Sequence, residues 1–149
     1  MSAFLVLKIV HVLLAVVAVG ANVTYAFWLR RAGTDREQLA FAIDGVSWLD
    51  RRIANPAYIL LLITGIAMVA TGAYSFSDRW LQVAIVLYVA TALLGIFAFG
   101  PAIRRQAAEA ARDPTSAEYL ASARRTNLFG LLTVAIVVVI VILMVAKPF

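Results

Sequence analysis

The sequence has no cysteine, a single histidine and little charge. Without cysteine there is no disulfide, no thiolate metal site and no cysteine nucleophile. A single histidine, His11, excludes a bis-histidine haem unless two subunits each contribute one. Charged residues make up 14% of the chain, and no aspartate or glutamate lies inside its long apolar runs. A membrane-buried carboxylate base is therefore missing. No glycine-rich phosphate loop and no metalloprotease motif occurs.

What is present is hydrophobic surface, 64% of 149 residues. Four uncharged windows stand out: Ile9 to Leu29, Ile53 to Ser77, Trp80 to Ile103 and Thr126 to Ala146. A helix needs about 20 apolar residues to cross a bilayer. The chain therefore reads as all-α, a four-transmembrane-helix bundle in one integral membrane domain over residues 1–149. Its spans fall at about 4–29, 53–75, 80–102 and 126–146. The first window outlasts a signal-peptide core and ends on arginines, so it reads as a retained helix. The net charge of +5 borders these windows, which points to topology and away from nucleic acid.

Arg30, Arg31, Arg36, Arg51 and Arg52 follow the first window, and Arg104, Arg105, Arg112, Arg124 and Arg125 follow the third. The other side carries only Lys8, Arg79 and Lys147. This asymmetry predicts that both long connections are cytoplasmic and both termini outside. Anionic headgroups of the inner leaflet are the simplest partner for the arginines. The arginine pairs also recur at nearly equal separation in the two halves. Each connection holds a T-x-x-E sequence, Thr34 to Glu37 and Thr115 to Glu118, the pattern of a helix-starting capping box. The sequence thus predicts a short cytoplasmic helix in loops 1 and 3, and a two-fold parallel repeat of the halves.

Helix 1 carries the candidate chemistry. Lys8, His11, Ala15, Ala18, Asn22 and Tyr25 follow each other in alternating three- and four-residue steps. At about 100° per residue they share one face, and that face should turn into the bundle because lipid offers no hydrogen-bond partner. Thr64, Met68 and Thr71 form a matching stripe on helix 2, flanked by Gly65 and Gly72. Helix 3 offers Tyr88 and Thr91. Helix 4 is almost featureless, with polarity at Asn127 and Thr133. It reads as a lipid-facing seal or as a surface for a second copy or a larger membrane complex. Depth predicts an outer cluster of His11, Met68 and threonines, and an inner cluster of Asn22, Asn55, Asn127 and tyrosine.

A histidine facing a methionine is a candidate axial pair for haem iron, or a soft-metal site. The competing reading is that His11 donates one hydrogen bond to a neighbouring helix and pins the packing. The TG repeat of helix 2 suits close packing better than a site.

Several stretches carry a resemblance. "LKIVHVLLAVVAVG", "NPAYILLLITGIAM", "WLQVAIVLY" and "VILMVAKPF" resemble a family of small bacterial integral membrane proteins of unknown function, over nearly the whole chain. The chain is more distantly similar to the CopD copper-resistance membrane domain and to the HemJ-type protoporphyrinogen oxidase. That resemblance implies a haem-binding role for His11 and framework roles for Pro56, Gly65, Trp80, Lys147 and Pro148. Helix 3 departs from the HemJ pattern by lacking histidine and lysine. The combined reading is a multi-pass protein of the bacterial inner membrane, an accessory or cofactor-binding subunit without catalysis of its own. Haem b at His11, with Met68 as second ligand, is its candidate cofactor. The alternatives are a HemJ-like membrane oxidoreductase and a purely structural subunit.

Overall fold

A computed structural model describes residues 2–148. All regular structure among them is helical: α1 (Ala3–Ala32), α2 (Arg36–Leu49), α3 (Asn55–Ala70), α4 (Arg79–Leu94), α5 (Gly100–Arg112) and α6 (Ala117–Ala146). Two π-turns, Asp50–Ala54 and Gly95–Phe99, fuse α2 to α3 and α4 to α5. The result is four rods of 30, 35, 34 and 30 residues, each long and apolar enough to cross a membrane. The expected loop helices exist as continuations of the spans: α2 runs into α3, α5 extends α4, and α6 begins well before its apolar run.

Both π-turns have the same cause. Each ends two residues before a proline, Pro56 or Pro101. A proline inside a helix lacks an N–H, and its ring crowds the carbonyl one turn back. Widening that turn relieves the crowding without breaking the rod. The amides of Asn55 and Gly100 accordingly donate five residues back, to the carbonyls of Asp50 and Gly95. Pro56 thus lies deep in a continuous rod, and the Phe99–Pro101 stretch is a π-turn exit in place of a helix end. The π-turns occupy the second rod of the first half and the first rod of the second. That order is mirrored along the chain, whereas the expected parallel repeat would have placed them in the same order.

The turns are cut short by specific residues. Gly33 closes α1 at φ 62° and ψ −132°, a conformation that suits glycine. Asp35 then caps α2, accepting from the Gln38 amide at 2.9 Å. Ser116 caps α6 by accepting from the Tyr119 amide at 3.1 Å. The caps are therefore one residue beyond Thr34 and Thr115, and they engage the amides of Gln38 and Tyr119 in place of those of Glu37 and Glu118. Thr115 serves the turn differently, donating to Asp113 Oδ1 from its hydroxyl at 2.7 Å and its amide at 2.8 Å. α3 stops at Ala70, short of residue 75, where Gly72 turns the chain at φ 78°.

In packing terms the rods form two pairs. α1 lies along α3, and α4 along α6. The pairs meet where α2 packs on α5 and where α1 touches α6, while α3 and α4 do not pack on each other. The densest core sits at the arginine-rich end, around Leu39, Ile43, Val46, Ile103, Ala110 and Tyr119. There Arg36 also ties the two turns together, donating to the Arg112 carbonyl at 2.8 Å and satisfying the end of α5. Elsewhere the rods expose their apolar sides, such as Leu13, Val16 and Leu131, as expected of helices solvated by lipid.

At the termini end, Lys147 caps α6 and donates to the Tyr74 hydroxyl at 2.9 Å. Its ammonium lies 4.2 Å from the Tyr74 ring centre and 5.5 Å from that of Trp80. Phe4 meets Tyr74 edge-on, as Tyr74 meets Trp80. This clasp gathers the start of α1, the α3–α4 turn and the end of α6, a concrete role for Trp80 and Lys147.

Candidate functional site

The polar face of helix 1 divides into three parts. Lys8 is exposed, although Phe4 one turn earlier packs on Tyr74. His11 is half-buried against α3, its Nδ1 2.8 Å from Thr64 Oγ1. Thr64 Oγ1 lies 2.8 Å from the Leu60 carbonyl. A carbonyl only accepts, so that contact uses the single hydroxyl proton. Nδ1 of His11 therefore carries the ring hydrogen and donates it to Thr64, leaving the Nε2 lone pair free. The ring rests on Gly65, where an added Cβ would come 3.4 Å from its Cε1. Gly65 is thus the seat of the imidazole.

Met68 is buried one turn beyond Thr64. Thr71 is exposed and caps the end of α3 by bonding the Met68 carbonyl. Neither His11 nor Met68 lines the large cavity of the protein. His11, with Thr64 and Gly65, is therefore a packing contact between α1 and α3 with one unused nitrogen.

The third part, Asn22 and Tyr25, faces a different space. A cavity of about 560 Å³ lies between the two rod pairs toward the arginine-rich end. Every rod contributes. α1 supplies Asn22, Tyr25 and Leu29; the second rod Asp50, Arg51, Asn55, Tyr58 and Ile59. The third supplies Tyr88, Thr91, Ile96, Phe99 and Arg104, and α6 supplies Thr126, Asn127, Gly130 and Thr133. Both π-turns reach its wall, through Asp50 and Arg51 on one side and Gly95, Ile96 and Phe99 on the other. α6 is thus a wall of the site and not a peripheral seal. Thr126, Gly130 and Thr133 share its inner face, and Gly130 makes room for the Phe99 ring, 3.6 Å from where a Cβ would stand.

The polar groups form a partial network. The Asn22 amide donates to the Tyr58 hydroxyl. The Tyr88 hydroxyl donates to the Tyr58 carbonyl at 2.7 Å, bridging α4 to α3 across the gap. Asn55 donates to Asp50 Oδ2 at 3.1 Å. Thr91, Thr126 and Thr133 bond back to carbonyls of their own helices. Tyr25 has none of this. It is 4% exposed, its hydroxyl lies within electrostatic range of Asp50 and Tyr58, and it has no partner among the described residues. A buried hydroxyl without a hydrogen bond costs about 1–3 kcal/mol.

Comparison with known proteins adds one finding. The chain matches, over residues 5–148, the family described as predicted integral membrane protein (DUF2269). The chain belongs to the DUF2269 family. No curated protein and no solved structure matches it. Membership supports the small integral membrane family that the sequence resembles, and no link to the CopD or HemJ types appears. The cavity therefore has to be read from its own chemistry in this DUF2269 chain.

Sequence reasoning grouped Asn22, Asn55, Asn127 and tyrosine toward one end, and the structure brings them to one cavity. It missed Tyr58, Asp50, Arg51 and Arg104. In sequence the arginines read as topology signals and as partners for inner-leaflet headgroups. Two prolines at matching places were the available signal for the π-turns.

Proposed function

We propose that this protein is a membrane-embedded binding subunit, without catalysis of its own, whose cavity holds an amphiphilic small molecule. The observation that carries this reading is Tyr25, a residue of the cavity wall whose buried hydroxyl has no partner among the described residues. A ligand with an acceptor atom would complete it. The mixed lining supports the same reading: an aliphatic and aromatic body from Leu29, Ile59, Ile96 and Phe99, with a few convergent polar groups, as in small-molecule sites generally. The two π-turns at the wall add to it, since such turns recur at functional sites. In this reading the arginine-rich end faces the cytoplasm of a bacterial inner membrane and both termini lie outside, supported by the arginine asymmetry.

The test is native mass spectrometry of protein purified in mild detergent. The reading expects a bound species that survives gentle delipidation in the wild type and is depleted in Tyr25→Phe. A wild type with no adduct, and no retention of added amphiphiles, would contradict it.

Haem b through His11 has less support. The free Nε2 favours a ligand there, but His11 is seated on Gly65, and the cavity wall includes no histidine, methionine or cysteine. HemJ-like porphyrinogen oxidation rests on the framework residues alone. The oxidised and reduced absorption spectra decide the haem reading: no Soret band is expected, and one abolished by His11→Ala would restore it.

A further inference from the structure

The cavity has a charged mouth that its polar network does not use. Arg51 comes from the first π-turn and Arg104 from α5, so the two guanidinium groups belong to opposite rod pairs. Among the described residues the one ion pair is Glu109 with Arg112, so neither Arg51 nor Arg104 has a carboxylate partner within salt-bridge reach. Asp50, next to Arg51, is engaged by Asn55. The same cavity wall includes two tyrosines whose hydroxyls have protons to spare. Tyr25 has no partner, and Tyr58 accepts from Asn22 while donating to nothing among the described residues. The mouth is thus rich in donors and carries two positive charges against one negative.

Part of the cavity wall is apolar and reaches the outer surface of the protein. Ile59 on α3 and Ile96 on the second π-turn both line the cavity, yet they are 60% and 64% exposed. α3 and α4 do not pack on each other along this side, and the Tyr88–Tyr58 hydrogen bond crosses the gap. A chain of methylenes leaving the cavity here would enter the hydrocarbon of the bilayer directly.

We infer that the ligand is a singly charged anionic amphiphile, its phosphodiester or carboxylate head held between Arg51 and Arg104 and its hydrocarbon tail leaving between Ile59 and Ile96. This inference rests on the amphiphile reading above and adds the sign of the head and the direction of the tail. Guanidinium forks match the paired oxygens of both head types. The Tyr25 and Tyr58 hydroxyls supply further donors to the same oxygens. Asp50 leaves the mouth with one net positive charge, which suits one negative charge better than two.

The experiment uses the full chain, delipidated in neutral detergent, with binding read by native mass spectrometry and by the shift in Tm. The probes are dioleoyl phosphatidylglycerol, dioleoyl phosphatidylcholine, oleate and inorganic phosphate. Wild type should hold phosphatidylglycerol and oleate at least about tenfold more tightly than phosphatidylcholine, as expected from one pair of charge-assisted contacts. Inorganic phosphate alone should give no shift. Arg51→Gln with Arg104→Gln should reduce the preference to below about twofold, and Arg30→Gln with Arg31→Gln, a charge-matched pair outside the cavity, should keep it. Equal loss in both pairs would assign the preference to diffuse surface charge and overturn the inference. Equal binding of both phospholipids, still sensitive to Tyr25→Phe, would overturn the anionic head while leaving the cavity reading intact. A shift with inorganic phosphate would overturn the tail. No binding sensitive to Tyr25→Phe would overturn both the inference and the reading beneath it.

Discussion

The Asn22 amide and the Tyr58 hydroxyl join α1 to α3 by one side-chain hydrogen bond, in which the phenol accepts and keeps its own proton free. One turn further along α1, the Tyr25 hydroxyl has no partner among the described residues. Two neighbouring residues of one helix face thus meet opposite fates, one closing the bundle and the other buried without a hydrogen bond.

The contrast gives a two-sided prediction for Tyr25→Phe. In ligand-free protein the substitution removes a buried, unsatisfied hydroxyl and should leave Tm unchanged or raise it, since such a group costs about 1–3 kcal/mol. The stabilisation produced by a bound amphiphile should shrink in the same variant. A lower Tm in the ligand-free state would show that the hydroxyl is already satisfied within the protein.

His11 and Thr64 should behave as one interaction. His11→Ala and Thr64→Val should each destabilise the detergent-solubilised protein modestly, with a mean near 0.6 kcal/mol for interhelical polar contacts in a membrane protein. The double variant should lose less than the sum, because either substitution already breaks the bond. Strict additivity in thermal melts would remove this contact from the account of His11.

The π-turns make the glycines unequal. A Cβ on Gly100 would stand 3.2 Å from the Gly95 carbonyl, inside the turn ahead of Pro101. Gly100→Ala should therefore lower Tm. Gly20→Ala, where a Cβ meets nothing within 4 Å, should be neutral or mildly stabilising through the helix preference of alanine. The reverse order of the two melts would argue against the tight π-turn.

Asp113 gives a pH signature to the α5–α6 turn. Hydrogen bonds from the Thr115 hydroxyl, then its amide, hold the exposed carboxyl below its ordinary value of 3.8. A lowered folded value stabilises the fold above the ordinary one, and this contribution is lost as the pH falls through the lowered value. Thr115→Val removes the hydroxyl bond, so the gap in Tm between wild type and variant should narrow on going from about pH 6 to about pH 3. A gap independent of pH would show that Asp113 is not the partner that matters.

How far the sequence reveals this arrangement depends on which force each residue answers to. The spans follow from hydropathy, which acts locally and is legible. Asn22 and Tyr25 were legible too, because lipid drives polar groups inward wherever they occur. The capping positions slipped by one residue, since Asp35 and Ser116 are equally good caps beside Thr34 and Thr115 and the helices begin after them. Lys8 and α6 failed for a tertiary reason. Whether a residue faces a cavity depends on how the rods pair and separate, which leaves no local pattern. Arg51 and Arg104 were hidden by a second role, because arginines that set topology look the same in sequence as arginines that line a site.

The most direct measurement of the central claim is photolabelling with an oleate analogue carrying a diazirine in its chain, followed by mapping of the modified residues. The account predicts labelling concentrated at the cavity and its lateral opening, on Tyr58, Ile59, Ile96 and Phe99, competed by unlabelled phosphatidylglycerol and lost in the Arg51→Gln, Arg104→Gln pair. Labelling spread over the lipid-facing residues Leu13, Val16 and Leu131, without competition and without enrichment at the cavity, would contradict it.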